Sequence, residues 1–327
     1  MLVGISTYQV FPQLPVCVED AKAIASVLHR HKDGTMNYTC KTLLNRTENG
    51  LPMTRAALRD ACEELFQFDG DTLFYFSGHG VLANGGGYLC TTDGAVNDWG
   101  VAMQEVVDMA IRSRSREVVL IIDCCHSGDV GNQATFDRLR LQANPLTTIR
   151  EGMTVIAASR NEQVALAAKP YSVFTAAVLD ALEGGAADHL GWVTAPAVYA
   201  YVSNRFAGWE QRPVYKSNVV DVPVLRECEP LIERLKLRRL VDLFKQVDHR
   251  YPLDPEHEPE DEHGNVKEPV NQEKVEIARL FKDYRDAGLL KPTIPGQQLY
   301  WTARKNGTVE LTPRGKEYWW LVANDKL

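Results

Sequence analysis

Val118-Val-Leu-Ile-Ile-Asp-Cys-Cys-His-Ser-Gly128 is the stretch whose reading decides the fold. Its five leading aliphatic residues fit a central parallel strand covered on both faces, and the run then stops abruptly in small, polar and nucleophilic residues. A second stretch ends in the same way. Asp71-Thr-Leu-Phe-Tyr-Phe-Ser-Gly-His-Gly80 is another short apolar run closed by Ser77, Gly78, His79 and Gly80. Open α/β sheets bind ligands just beyond the carboxyl ends of their strands, so two such strands would present a histidine and a cysteine at one edge.

Working outward, the segments around these runs alternate. Leu2 to Thr7 reads as a strand, and Val18 to His31 as an amphipathic helix with Ala21, Ile24 and Leu28 on one face. Met36 to Asn45 is strand-like. Thr54 to Phe66 is a helix with Leu58, Cys62 and Leu65 aligned and Thr54 as its N-cap. Val101 to Ser113 reads as a helix leading into the Val118 strand. Repeated βα units imply a parallel sheet with right-handed crossovers. Beyond Gly128, Asp129 to Gly152 reads as a long loop, Met153 to Ser159 as a strand, and Tyr171 to Gly184 and Thr194 to Phe206 as helices, Pro196 suiting the first turn of the latter. Asp221 to Leu225 reads as the final edge strand, where Pro223 is tolerated.

At 327 residues the chain exceeds what one core usually supports, which predicts a main domain and a smaller second one. A hydrophobic content of 45% with 24% charged residues is ordinary for a soluble protein, and no apolar run approaches bilayer length. The first residues lack a basic leader and read as a strand, so a cytoplasmic location is expected. Seven scattered cysteines without metal-ligand spacing predict reduced thiols, with neither disulfides nor zinc. A net charge of −7 argues against a general nucleic-acid binder.

Tyr-Phe-Ser-Gly-His-Gly and Asp-Cys-Cys-His-Ser-Gly, with His79 forty-six residues before Cys125, together resemble the caspase-like cysteine peptidases, above all their metacaspase and bacterial branches. The resemblance spans residues 1–226, where Gln211-Arg-Pro-Val-Tyr215 is similar to the closing segment of metacaspase-like domains. It implies the caspase-hemoglobinase fold, a mainly parallel sheet flanked by helices. In the family the nucleophile directly precedes His-Ser-Gly, which selects Cys125 over Cys124 and leaves His126 to packing or loop support. His79 would manage protons, since a free cysteine is little ionised at neutral pH. The N–H groups of Gly80 and Cys125 would form the oxyanion hole. The resemblance also implies an acidic S1 pocket from Cys17, Asp20, Ser77 and Asp123, which would pair with a P1 Arg or Lys. The blander readings are helix N-terminal charge for Asp20 and loop-amide bonding for Asp123. Calcium is where the sequence departs from many metacaspases: Val81 to Tyr88 holds no carboxylate, only Asp93, Asp98 and Asp129 lie within reach, and neither a metal nor another cofactor is expected.

The remainder, residues 227–327, has a different texture. Leu231 to His249 reads as one amphipathic helix, and the Pro- and acid-rich segment of about 251–269 as a flexible loop. Asn271 can cap a helix to Ala287 with Gly288 at its C′ position, Leu299–Ala303 and Thr308–Leu311 read as a hairpin around Asn306-Gly307, and Thr312-Pro313 starts a last helix. This succession resembles a small α+β winged-helix domain. Residues 231–327 carry seventeen basic and seventeen acidic side chains, so a regulatory protein partner is expected there and nucleic acid is not. The resemblance implies an endopeptidase acting on proteins after Arg or Lys, in a bacterial defence or cell-death setting and activated by a partner or by processing. The Asp129 to Gly152 loop, with Arg138, Arg140 and Arg150, is expected to be its self-cleavage region. The alternatives are a regulator that uses the winged helix beside a non-catalytic caspase-like scaffold, and an esterase or acyl transferase with the same nucleophile.

Overall fold

The computed structural model describes residues 1–45, 52–83, 86–126, 149–158, 170–206, 213–260, 263, 265–266 and 269–327, without the side chains of Leu82, Cys125 and His126. The chain divides into two compact units: residues 1–187 with 192–229, and 230–327 with 188–191.

The first unit runs β1 (Leu2–Ile5), α1 (Cys17–His29), β2 (Thr42–Asn45), α2 (Arg55–Phe66), β3 (Thr72–Ala83), β4 (Gly86–Ala95), β5 (Asp98–Ala102), α3 (Met103–Ile111), β6 (Val118–His126) and β7 (Met153–Ala157). It continues with α4 (Val173–Asp180), β8 (Trp192–Thr194), α5 (Ala195–Arg205), β9 (Val214–Asn218) and β10 (Val224–Glu227). Among the described residues the main sheet has eight strands, with the path β2-β1-β3-β6-β7-β9 and a β4–β5 hairpin attached to β3. The pairs from β2 through β7 on that path are parallel, and β9 closes the sheet antiparallel to β7. This is a caspase-like α/β fold with a mainly parallel central sheet flanked by helices.

Alternation along the strands builds two cores. Phe74, Phe76, Leu120, Ile122 and Val155 pack with Leu58 and Cys62 of α2 and Val106 and Ala110 of α3. The residues between them, Leu73, Tyr75, Val119, Ile121 and Ile156, pack with Ile24 and Leu28 of α1 and Phe174 and Val178 of α4. Covering both faces is why these strands read as unbroken apolar runs. The chain leaves β1 toward β2, then crosses back over β1 to β3, so the strand order reverses between β1 and β3. Ligand crevices open at the carboxyl ends of strands at such a reversal.

Several elements differ from the expectation. The β4–β5 hairpin fills a stretch for which the sequence predicts no element, and α3 begins at Met103 because Val101 lies in β5, paired with Leu89. Its turn places Asn97 in the left-handed region at φ 71°, a conformation asparagine tolerates. The edge of the main sheet is β9, not Asp221 to Leu225. Val224–Glu227 forms β10 and pairs with β8 instead, bringing Leu225 into the α1/α4 core, while the Pro223 carbonyl accepts from the Ala195 N–H at 3.2 Å.

The second unit contains α6 (Arg234–Arg238), α7 (Leu240–Leu243), β11 (Tyr251–Pro252), α8 (Gln272–Asp286), β12 (Leu290–Pro292), α9 (Leu299–Arg304), β13 (Thr308–Leu311) and α10 (Pro313–Ala323). Its sheet runs β11-β13-β12, antiparallel throughout. The single helix expected over Leu231 to His249 is two short ones that meet at Arg239, and the second ends where Phe244 turns to extended backbone, buries its ring and accepts at its carbonyl from Trp319 Nε1 at 2.6 Å. Leu299–Ala303 is helical and not one arm of a hairpin: Leu299, Thr302 and Ala303 are buried at helical spacing, and that burial overrides the strand preference of Tyr300 and Trp301. The hairpin on which the winged-helix resemblance rested is therefore not formed. Nor is the start of the acid-rich segment a flexible loop. Leu253 and His257 are buried, and Lys274 pairs with Asp254 at 2.5 Å and Glu256 at 2.9 Å, which offsets part of the charge that argued for disorder.

Candidate active site

The site begins as two rungs of the β3–β6 ladder. Ser77 stands in register with Asp123, and two residues further on His79 stands in register with Cys125. Neighbouring strands run about 4.8 Å apart, so the histidine and cysteine backbones are adjacent at the carboxyl ends of two central strands. Cys124 alternates to the other face and joins the α2/α3 core, buried with its Cβ where a Cβ on Gly80 would lie, 2.8 Å away. The lack of a side chain at Gly80 thus makes room for Cys124.

His79 is 2% exposed and held from several directions. Its Nε2 lies 2.8 Å from the Pro12 carbonyl. A carbonyl only accepts, so Nε2 carries the proton and Nδ1 is the basic nitrogen of the neutral ring. The Pro12 carbonyl belongs to the segment between β1 and α1, which Gln13 staples by donating to the Tyr8 carbonyl at 3.1 Å. Tyr8 also fixes the histidine backbone: its hydroxyl accepts from the His79 N–H at 2.9 Å and donates to the Ile5 carbonyl at 2.9 Å. Burial pushes the Tyr8 phenol well above its usual range, so it stays a neutral donor. The rings of Tyr8 and Phe11 lie 4.7 Å and 5.4 Å from the imidazole. A Cβ on Gly78 would come within 2.7 Å of the Tyr8 hydroxyl, so the glycine of Ser-Gly-His-Gly admits this clamp.

The lower rung lies among buried carboxylates. Asp20, 0% exposed, reaches the sheet because Gly4 of β1 lets α1 approach, a Cβ there meeting the Cys17 carbonyl at 2.5 Å. Ser77 donates to Asp20 Oδ2 at 2.8 Å, and the Ser172 N–H donates to Oδ1 at 2.9 Å. Asp123, 1% exposed, accepts on Oδ2 from the Ser172 hydroxyl and from Thr175 Oγ1, the latter at 2.7 Å. The Tyr75 hydroxyl bonds Thr175 Oγ1 at 2.5 Å. Ser172 is also the N-cap of α4, accepting from the Thr175 N–H at 3.0 Å. Buried carboxylates of this kind attract a cation that reaches them with matching donors.

The structure thus gathers Asp20, Ser77 and Asp123 around one helix start, with Cys17 buried at the head of α1, and sets His79 beside Cys125 in register. Tyr8, Pro12, Tyr75, Ser172 and Thr175 escaped the sequence reading. Tyr75 opens the Tyr-Phe-Ser-Gly-His-Gly motif without a role read for it; no motif marks the others, and only the Ser-x-x-Thr helix start of α4 was there to be read. Of the carboxylates within reach of a cation, Asp93 accepts from the Arg55 N–H at 3.0 Å and from Thr91, while Asp98 pairs with the Arg55 guanidinium at 2.9 Å. Asp129 lies outside the described residues. Arg138 and Arg140 do too. Arg150 binds the carbonyls of Ala110, Ser115 and Glu151 and the Ser113 hydroxyl, tying the chain before β7 to the end of α3.

A mainly parallel sheet whose central strands β3 and β6 carry a histidine in register with a cysteine at their carboxyl ends, beside buried carboxylates, is the layout of a cysteine-peptidase-type α/β domain. The chain belongs to the caspase-domain family, whose domain matches residues 1–224. Among solved structures it is similar to protein GSU0716 from Geobacter sulfurreducens, at 16% identity and a TM-score of 0.50 over 70% of this chain and 96% of that one. It also matches a structure of pro-sf-caspase-1 at 9% identity and a TM-score of 0.46, over 68% of this chain and 91% of that one. No curated protein sequence matches the chain. Among the described residues, no helix is long and apolar enough to cross a membrane.

Proposed function

We propose that this protein is a cysteine endopeptidase that cleaves proteins after Arg or Lys, with Cys125 as nucleophile and His79 as its base and acid. The observation that carries the reading is the register of His79 with Cys125 one step beyond Ser77 with Asp123: chemistry and cation recognition share one strand pair. In this reading the thiolate attacks the scissile carbonyl carbon, and the oxyanion is received by the N–H groups of Gly80 and Cys125. His79 Nδ1 takes the thiol proton and returns it to the leaving amine, while Nε2–H stays on the Pro12 carbonyl and keeps the ring in its working tautomer. Water then hydrolyses the thioester. Asp20 and Asp123, with Ser77 and Cys17 beside them, receive the P1 cation.

We assign no metal to the reaction, and the engagement of Asp93 and Asp98 by Arg55 supports that choice. The second unit is proposed to take a regulatory protein partner, a role supported by its balanced charge and its exposed Trp301 and Trp320. A cytoplasmic defence or cell-death role follows by analogy with the family. Self-processing is proposed after Arg138 or Arg140, since Arg150 is engaged by backbone carbonyls. The decisive experiment incubates the protein and its Cys125→Ala form with a mixed peptide library and reads cleavage sites by mass spectrometry. Cleavage after Arg and Lys, absent in the variant, is expected; cleavage after other residues, or equal cleavage by both forms, refutes the reading.

A further inference from the structure

Ser172 touches both carboxylates of the proposed pocket with different atoms. Its backbone N–H serves Asp20 and its hydroxyl serves Asp123, while the same oxygen caps α4 through the Thr175 N–H. One residue thereby fixes the spacing of two acidic groups carried by separate elements, α1 and β6. A hydroxyl has a single proton, so an oxygen that donates to Asp123 receives Thr175 N–H as acceptor, and both bonds are satisfied together. Thr175 completes the set. Its own hydroxyl donates to Asp123 Oδ2 at 2.7 Å and so accepts from Tyr75. The helix start also directs its positive end at both carboxylates.

We infer that Ser172 is a positioning residue for substrate specificity, holding Asp20 and Asp123 at the separation that one guanidinium or ammonium group bridges. The inference rests on the reading of these carboxylates as the P1 pocket and assigns to Ser172 the geometry of that pocket. Without the hydroxyl, Asp123 loses a donor, its carboxylate swings on its side-chain bond, and the two acids no longer converge on one cation. The chemistry at His79 and Cys125, two residues further along the strands, is untouched.

The test measures binding of benzamidine, a small planar cation, by calorimetry in the Cys125→Ala protein, so that no turnover interferes. Ser172→Ala and Ser172→Gly are compared; glycine, unlike alanine, is itself a residue that helix starts accept at the N-cap. Affinity is expected to fall about ten- to hundred-fold in both, the scale of one charge-assisted hydrogen bond, and to return to within about threefold in Ser172→Thr. Thr54→Ala, which removes the comparable cap from α2 far from the pocket, should leave affinity unchanged. With Cys125 restored, the Ser172 variants should raise KM for Arg and Lys peptides far more than they lower kcat. Wild-type affinity in Ser172→Gly alongside lost affinity in Asp123→Asn overturns the inference and leaves the pocket reading standing. Unchanged affinity in both Asp123→Asn and Asp20→Asn overturns the pocket reading and this inference with it.

Discussion

Replacing Tyr8 with phenylalanine removes one oxygen atom and nothing else, yet that oxygen serves the His79 N–H and the Ile5 carbonyl at 2.9 Å each. Both partners are buried, and each polar group left unsatisfied in such surroundings costs about 1–3 kcal/mol. The two are joined through a single atom and relax together, so the expected loss is about 2–4 kcal/mol. For a unit of this size that lowers the melting midpoint by about 2–4 °C per kcal/mol. The consequence for catalysis is separate. With its backbone anchor gone, His79 keeps the Pro12 carbonyl and the Phe11 ring but loses its fixed height at the strand end. Misplacing a catalytic group by a fraction of an ångström costs about ten- to hundred-fold in kcat, with little change in KM. Thermal unfolding followed by circular dichroism, and steady-state hydrolysis of an arginyl peptide, measure the two effects. Because burial keeps the Tyr8 phenol neutral, the difference between the proteins should not vary between pH 6 and 9. A variant that melts with the parent protein and retains its kcat would refute the clamp.

Cys125→Ala and His79→Ala should abolish peptide hydrolysis in a protein that still folds, His79→Ala at a cost of about 2–4 kcal/mol because it empties a buried site and leaves the Pro12 carbonyl unpaired, whereas Cys124→Ala should cost about 1–2 kcal/mol of stability and keep turnover; inactivity of Cys124→Ala with an active Cys125→Ala would reverse the nucleophile assignment. Asp123→Asn or Asp20→Asn should lower kcat/KM on basic P1 substrates several-fold to a few hundred-fold, about 1.5–3 kcal/mol, and equal losses on a neutral P1 peptide would indicate a damaged fold instead. Intact-mass analysis of concentrated active enzyme should find cleavage after Arg138 or Arg140, and full-length protein throughout would end the self-processing proposal. Burial pushes the Cys62 and Cys90 thiols up to about 12, so unfolding releases their protons above pH 9. Their stabilisation is present in full below pH 9 and is lost between 9 and 12, at about 1.4 kcal/mol per pH unit for each thiol. Urea titrations at pH 8 and 10 would show that slope, and its persistence in the Cys62→Ala, Cys90→Ala protein would assign it elsewhere.

The parallel core was legible because Val118–Ile122 and Leu73–Phe76 are buried on both faces, and a strand of that kind writes itself as an unbroken apolar run. The β4–β5 hairpin was not, because its Gly- and Thr-rich strands carry neither a clean alternation nor an Asn-Gly turn. Leu299–Ala303 misled in the opposite sense: strand-forming aromatics sit in a helix that the second unit's core selects by burying Leu299, Thr302 and Ala303. At the site, the residues that would do chemistry stand in motifs, whereas those that hold them do not. Tyr8 and Ser172 act through a hydroxyl brought from a distant segment, and no local pattern announces a bond across 71 or 49 positions of sequence.

The two-residue offset between the Ser77–Asp123 rung and the His79–Cys125 rung makes the strand pair a measuring rod. Two residues of extended chain advance about 6.6 Å, and an arginine side chain carries its guanidinium carbon about 6 Å from its Cα. On the proposed reading, the distance from nucleophile to anionic pocket is set by pleated backbone whose length no rotamer can alter. Shorter cations such as ornithine would leave either the charge or the scissile carbonyl out of reach. A single residue inserted between Ser77 and His79 would break the gauge while leaving every functional side chain in the sequence.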